Sequence, residues 1–174
     1  LRRLERNRAL RRVVLVGSAA SAGGAPQGEA VTEADWYEPS GAHASRWGEL
    51  AWGVESEVYR WLGRGVPVTM GLVTKIGGVE GARAVDTVRV EDAAGGIAAM
   101  LERGSVGRRY ILASQQQRAA DAGETAPQRA WRRVTERIGR AQSREALWEE
   151  RALAGIRYCA TRAEEELGFV VRGG

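Results

Sequence analysis

The chain has 174 residues, of which 44% are hydrophobic and 28% are charged, with 23 glycines and 4 prolines. This composition excludes a disordered or low-complexity chain and is typical of one globular domain with a substantial core. The net charge of +4 comes from residues 1–12, which hold six arginines and one glutamate. The rest of the chain is nearly neutral and offers no broad basic surface, so its composition does not favour a nucleic-acid partner.

The sequence has one cysteine, Cys159, and one histidine, His43. A lone cysteine cannot form an intrachain disulfide, and two residues so far apart cannot supply a zinc cluster, so we predict no metal site. The longest strongly apolar run, from Val13 to Val16, is far too short to span a bilayer. We therefore expect a cytoplasmic protein without a membrane partner.

The first half of the chain predicts a strand, a helix and a second strand. The run from Val13 to Val16 is typical of a buried strand, and Gly17 begins a run of small residues. Residues 45–62 repeat apolar side chains at intervals of three and four, which predicts an amphipathic helix. Residues 66–73 are again typical of a buried strand. The two strands should therefore lie parallel, with the helix as their crossover.

Other segments of the chain carry weaker signals. Residues 23–41 have no apolar period and predict a surface loop. Four further elements are predicted: a strand at 85–90, a helix that Glu91 and Asp92 cap and Gly104 ends, a strand at 109–113, and a last helix from a Thr161 cap to Gly168. Residues 115–153 are rich in Ala, Arg, Glu and Gln and predict one or two helices. The fold class is therefore α/β.

Six strings along the chain resemble, in the same order, motifs of the extended short-chain dehydrogenases/reductases, the NAD-dependent epimerase/dehydratase family. They are found at residues 12–18, 32–41 with 55–58, 65–68, 88–94, 107–112 and 162–169. They cover most of the chain. Within this family the strings are most similar to the branch of hopanoid-associated sugar epimerases and dihydroflavonol-reductase-like proteins.

The resemblance implies a partial Rossmann-like parallel sheet with flanking helices, from which the first half, with its dinucleotide loop, is absent. Residues 1–114 would be the remnant of the Rossmann-like core, and residues 115–174 the helical, substrate-side region of the same domain. The resemblance also implies NAD or NADP as cofactor, with the backbone of Leu72 and Val73 beside it, and nucleotide sugars or related carbonyl and hydroxyl compounds as substrates. Members of the family often pair through the helix that is predicted here at 45–62, so a homodimer is expected.

The family moves a proton with a serine or threonine, a tyrosine and a lysine. Its serine position falls on Ser18, its tyrosine position on Trp47 and its lysine position on Ala51. A tyrosine base must ionise near neutral pH, and a lysine ammonium beside it supplies the stabilising charge. Tryptophan has an N–H donor but no proton that titrates, and alanine has neither. None of the tyrosines is followed four residues later by lysine.

The glycine-rich loop of a dinucleotide site is also missing from the sequence. The nearest string, beginning at Gly78, leads into the extended residues 85–90 and not into a helix, so it predicts a plain loop. We therefore expect a degenerate or partial copy of the family, inactive alone, and do not expect this chain alone to bind NAD or NADP.

Several alternatives remain open at the level of the sequence. Ser18 is either a remnant proton relay or a turn residue, and His43 is either a base near the vacated site or a loop histidine. Residues 1–12 either form a solvated helix face or bind the phosphates of a nucleic acid or an anionic lipid. Correspondingly, the chain is either a disabled enzyme, a non-catalytic scaffold that binds a partner or dimerises, or a nucleic-acid binder with a basic tail.

Overall fold

A computed structural model describes residues 9–23, 25–26, 28–76, 86–113, 152–153 and 155–171. Within these ranges there are seven strands and three helices: β1 (Val13–Ser18), β2 (Ala30–Val31), α1 (Arg46–Gly63), β3 (Val68–Val73), β4 (Lys75–Ile76), β5 (Thr87–Val88), α2 (Val90–Arg103), β6 (Arg109–Leu112), β7 (Arg157–Tyr158) and α3 (Thr161–Leu167). A 3-10 turn, Ala19–Ala22, follows β1. The helices predicted within 115–153 and the glycine string at Gly78 lie largely or wholly outside the described residues.

The main sheet has three parallel strands in the order β1-β3-β6. Val13 lies opposite Val68, and Met70 lies opposite Arg109. Every residue of β3 and β6 is buried, as expected for parallel strands covered on both faces. This arrangement is the predicted α/β class, a partial Rossmann-like parallel sheet with flanking helices.

The helices cover the sheet from both sides because successive strand residues point to opposite faces. On one face, Val13 and Leu15 pack with Met70 against Val58 of α1. On the other face, Val14 belongs to the cluster that contains Met100 of α2 and Leu167 of α3, together with Tyr110 and Leu112 of β6. The described residues therefore form three layers, with α1 on one side of the sheet and α2 and α3 on the other.

Two short strand pairs lie outside the main sheet. Ala30 pairs with Arg157 and Val31 with Tyr158 in a parallel ladder of β2 with β7, and Lys75 pairs with Thr87 in a ladder of β4 with β5. The prediction that residues 23–41 form only a loop was therefore wrong at β2. A strand of two residues has no period to detect, and its partner lies far along the chain.

Two predicted helix caps were also wrong. Helix α2 begins at Val90, and its N-cap residue is Arg89, which makes no side-chain capping bond. Glu91 and Asp92 lie instead in the first turn, where carboxylates interact favourably with the helix dipole. Helix α3 has Ala160 as its N-cap residue, and Thr161 is its first helical residue. The predicted end at Gly168 is confirmed, since this glycine has φ 63°.

Helix α1 is the element that positions the site. Its N-cap is Ser45, whose Oγ accepts a hydrogen bond from the backbone N–H of Gly48 at 3.0 Å. A Cβ at Gly48 would lie 2.6 Å from the ring of Tyr37 and 3.1 Å from the carbonyl oxygen of Ala20. Glycine at this position therefore allows the start of α1 to lie directly against the 3-10 turn that follows β1.

No helix in the part of the chain described here is both long enough and apolar enough to cross a membrane.

Two glycines of α1 give opposite predictions for the same substitution. Gly48→Ala should lower the free energy of unfolding by about 1–3 kcal/mol, because the Tyr37 ring and the Ala20 carbonyl must move. Gly53→Ala should raise it by about 0.5–1 kcal/mol, because nothing lies within 4 Å of the new Cβ and alanine favours the helix. Urea denaturation of both variants measures these changes in the free energy of unfolding. Equal changes in the two variants would contradict the close approach of the backbone at Gly48.

Candidate functional site

Ligands of open parallel sheets bind beyond the carboxyl ends of the strands, and Ser18 is the last residue of β1. The Ser18 Oγ accepts a hydrogen bond from the backbone N–H of Ala20 at 3.4 Å, and the Ser21 hydroxyl donates to the Ser18 carbonyl oxygen at 3.0 Å. Ser18 is therefore the N-cap of the 3-10 turn.

Trp47 lies in the first turn of α1 and reaches back to the end of β1. Its indole Nε1–H donates a hydrogen bond to the Ser18 Oγ at 3.2 Å. The ring also packs, partly buried, against the core cluster at the carboxyl ends of the strands, which includes Leu72 and Ile111. The structure thus brings Ser18 and Trp47 together, and Ala51 lies one helical turn further along α1.

Ser18, Trp47 and Ala51 all border one cleft of about 250 Å³ between β1 and α1. The other walls are mostly aliphatic and come from β1, α1 and β3: Leu15, Val16, Leu50, Val54, Met70 and Leu72. The polar groups at its border, besides the Trp47 indole, are Ser18, Ser21 and Glu55. The cleft therefore suits an apolar group far better than a charged one.

Glu55 is not a free acid in this cleft. Its Oε1 lies 2.7 Å from the Nε of Arg109, and each of the two side chains is only 3% exposed. The hydroxyl of Tyr59 donates to the same Oε1 at 3.1 Å. The Arg109 guanidinium also donates to the backbone carbonyl of Asp35 at 2.8 Å and lies 4.8 Å from the ring centre of Trp36. This carboxylate is held by a buried ion pair with Arg109 and by the hydroxyl of Tyr59.

Two tyrosines, Tyr59 beside this pair and Tyr158 in the core cluster with Leu72 and Ile111, have raised pKa values. Burial and the neighbouring Glu55 carboxylate raise the pKa of Tyr59. Burial, with Asp86 nearby, raises the pKa of Tyr158. Both phenols therefore stay protonated at neutral pH. Burial likewise raises the pKa of Glu33, whose Oε1 accepts the backbone N–H of Ile111 at 3.1 Å, so this carboxyl group supports the sheet.

The remaining predicted residues lie as follows. Leu72 and Val73 are buried in β3, in register with Gly17 and Ser18 of β1 on one side and with β6 on the other. Leu72 borders the cleft, whereas Val73 packs in the cluster on the α2 side of the sheet. His43 does not border the cleft, and its Nε2 has no hydrogen-bond partner in the described part of the chain.

The Glu55–Arg109 pair and the aromatic residues beside it were not predicted from the sequence. Trp36, Trp52 and Tyr59 form a contact cluster, with ring centres 5.3 to 6.5 Å apart. One signal was present: Glu55 lies four residues after Ala51 and three before Val58, on the buried stripe of an otherwise amphipathic helix. A charged residue on such a stripe indicates a buried partner, but nothing in the sequence identifies Arg109 as that partner.

Across the described residues the site does not fit a nicotinamide dinucleotide. A pyrophosphate is held by backbone N–H groups of a glycine-rich turn at the start of a helix. Here the turn after β1 is Ala19–Ala22, which is buried. The hydroxyl of Ser18 accepts the Trp47 N–H, and the carboxylate of Glu55 is paired with Arg109. In the described ranges, no group of three or more His, Cys, Asp or Glu side chains is placed to hold a metal ion either.

The chain is similar in structure to three solved sugar-nucleotide enzymes. A nucleoside-diphosphate-sugar epimerase from Pseudomonas aeruginosa has 23% sequence identity and a TM-score of 0.64, and the match covers 94% of this chain and 62% of that one. UDP-glucuronic acid 4-epimerase from Bacillus cereus, in complex with NAD, has 11% identity and a TM-score of 0.60, and the match covers 97% of this chain and 58% of that one. dTDP-glucose 4,6-dehydratase from Bacillus anthracis, in complex with NAD, has 13% identity and a TM-score of 0.60, and the match covers 93% of this chain and 57% of that one.

These matches show the fold. The chain has part of the Rossmann-like α/β fold of these two epimerases and this dehydratase, and it spans 57–62% of the length of the three structures. No family model and no curated protein matches the sequence.

The buried pair makes a prediction about stability. Glu55→Leu leaves the Arg109 guanidinium buried without its counter-charge and should lower the free energy of unfolding by about 3–5 kcal/mol. The matched control is Glu57→Leu on the same helix, whose ion pair with Arg60 is largely exposed and should contribute no more than about 1 kcal/mol. Urea denaturation measures both. Equal losses of unfolding free energy in the two variants would show that the Glu55–Arg109 pair contributes no more to stability than an exposed ion pair.

Proposed function

We propose that this chain is a degenerate, partial copy of the extended short-chain dehydrogenase/reductase lineage, the NAD-dependent epimerase/dehydratase family, and that it has no catalytic activity alone. The observation that carries this proposal is the contact between the Trp47 indole and the Ser18 hydroxyl, with Ala51 one turn further along α1. The six sequence strings and the similarity in fold to sugar-nucleotide epimerases and dehydratases support the lineage.

The contact explains why the fold is kept while the chemistry is lost. In the family, the phenol of the tyrosine must ionise to move a proton. The indole N–H of Trp47 donates a hydrogen bond to Ser18 but has no proton that titrates in water. Ala51 supplies no ammonium to lower the pKa of any group there. Ser18 alone is a weak nucleophile without an adjacent base.

The lineage gives nucleotide sugars or related carbonyl and hydroxyl compounds as the ancestral substrates and NAD or NADP as the ancestral cofactor. The neighbours solved with NAD support this assignment of the lineage. For the chain alone we propose that neither ligand binds, because Ser18 and Glu55 are engaged within the protein and the turn after β1, Ala19–Ala22, is buried.

A second candidate function is a non-catalytic scaffold that pairs with a second copy through α1. The observation in its favour is the exposure of two aliphatic residues on that helix, Leu50 at 52% and Val54 at 58%. Exposed apolar side chains four residues apart lie on one helix face and mark a surface suited to another helix.

The first test is cofactor binding and turnover. Titration of the purified chain with NADH should give no saturable change in nicotinamide fluorescence, and incubation with NAD and UDP-glucose should give no product, because the base and the pyrophosphate turn are missing. UDP-glucuronic acid 4-epimerase from Bacillus cereus, which was solved in complex with NAD, is the positive control for dinucleotide binding. Saturable NADH binding, or turnover that scales with enzyme concentration, would overturn the proposal that the chain is inactive alone.

The second test asks whether the ancestral geometry persists at positions 47 and 51. In the variant Trp47→Tyr with Ala51→Lys, the lysine ammonium should lower the pKa of the new phenol by roughly one unit or more. The control is Trp47→Tyr with Ala51→Met, which has a side chain of similar length without the charge. Ultraviolet titration of the two variants gives the difference, and the native tyrosines cancel between them. Identical titrations would show that the two positions do not face one another.

A further inference from the structure

Strand β6 has one edge that faces β3 and one that faces away from it. Among the described strands, β6 pairs only with β3. The carbonyl of Arg108 accepts the N–H of Met70 in β3 at 3.0 Å. Backbone groups of successive residues in a strand point to opposite edges. Those of Arg109 and Ile111 therefore point away from β3, to the outer edge of β6.

Two charged side chains bond to these outward-facing groups. The N–H of Ile111 donates to the Oε1 of Glu33 at 3.1 Å, and the guanidinium of Arg162 donates to the carbonyl oxygen of Arg109 at 3.2 Å. One residue of an added parallel strand would use the same two groups. Its N–H would donate to the carbonyl of one residue, and its carbonyl would accept the N–H two residues further along. The guanidinium and the carboxylate therefore replace the backbone of one such residue.

The ladder of β2 with β7 brings these two side chains to the same place. Glu33 lies shortly after β2, and Arg162 lies shortly after β7, in the first turn of α3. Val31 lies opposite Tyr158 in the ladder, and the carbonyl of Val31 accepts the N–H of Cys159 at 2.8 Å. Two segments that are distant in sequence are thus held side by side at the outer edge of β6.

The loop that carries Glu33 is fixed by hydrogen bonds on both sides of this residue. The Oδ2 of Asp35 accepts the backbone N–H of Thr32 at 2.7 Å and its hydroxyl at 2.8 Å. The Arg109 guanidinium donates to the carbonyl of Asp35 at 2.8 Å and to that of Glu33 at 3.3 Å. Glu33 is only 6% exposed, and the positive charges of Arg109 and Arg162 compensate its carboxylate. A buried carboxylate needs such partners.

We propose that Glu33 and Arg162 form an edge cap. They bond to the two backbone groups through which a further strand would pair with the middle of β6, and so prevent two copies of the chain from joining there edge to edge. Open sheet edges are templates for association, and proteins protect them with charged side chains or a covering loop. The edge cap excludes a strand from any polypeptide, because both groups are already bonded. It is independent of the proposed loss of activity.

The test compares two double variants that make the same changes of residue type. Glu33→Leu with Arg162→Met removes the edge cap, and Glu29→Leu with Arg108→Met alters two exposed residues. Only the first should raise the hydrogen-exchange rate of the Ile111 amide, by roughly tenfold or more in dilute solution. Only the first should also form dimers by light scattering, in which exchange at Ile111 slows again as the protein concentration rises.

Two further measurements do not depend on the folding of that double variant. In the native chain, NMR should detect a scalar coupling across the hydrogen bond between the amide nitrogen of Ile111 and the carboxyl carbon of Glu33. The variant Glu33→Gln keeps an oxygen that accepts the Ile111 N–H, so its exchange at Ile111 should remain slow. A contact that served only to place a negative charge would lose this protection in Glu33→Gln.

Four outcomes would overturn the edge cap. The first is absence of the coupling in the native chain. The second is a Glu33→Leu, Arg162→Met variant of unchanged circular dichroism that keeps the native exchange rate at Ile111 or stays monomeric. The third is equal association of the exposed control variant. The fourth is a dimer in which exchange at Ile111 stays fast, because the two copies would then join through another surface.

Discussion

The ion pair between Glu55 and Arg109 is the interaction on which the arrangement of the site depends. It joins the middle of α1 to the first residue of β6, which are 54 residues apart. The guanidinium also binds the loop before α1 through the carbonyl of Asp35, and the Arg109 carbonyl accepts a hydrogen bond from Arg162 of α3. Removing both charges from water is costly, and the additional hydrogen bonds offset that cost. The pair therefore fixes how α1 lies on the sheet, and with it where Trp47 and Ala51 meet β1.

The first turn of α1 packs against the end of β1. The Trp47 indole donates a hydrogen bond to Ser18, and its ring adds apolar area to the cluster at the carboxyl ends of the strands. This contact uses neither an ionisable proton nor a cation. The residues that hold α1 on the sheet, Glu55 and Arg109, are therefore different from the residue that meets Ser18.

The parts of the fold that the sequence could predict are those with a local period. The helix at 45–62 and the strands β1, β3 and β6 follow from spacing alone. The two-residue strands β2 and β7 do not follow from spacing, since each is defined only by its pairing with the other, far along the chain. The caps of α2 and α3 were misplaced because Glu91 and Thr161 suit either the cap or the first turn. In the site, the meeting of Ser18, Trp47 and Ala51 follows from family resemblance, whereas the partner of Glu55 is set by tertiary packing, which no single sequence displays.

The contrast between β3 and β1 has a physical consequence for the isolated chain. Both strands are aliphatic, yet only β3 is buried along its whole length. An unpaired apolar edge presents backbone donors and acceptors and side chains to any available strand, which makes it a template for association. Whatever covers it stabilises the folded state by mass action, because the covering surface exists only when β1 and α1 are in place. The stability of this chain and the occupancy of its β1 edge are therefore thermodynamically linked.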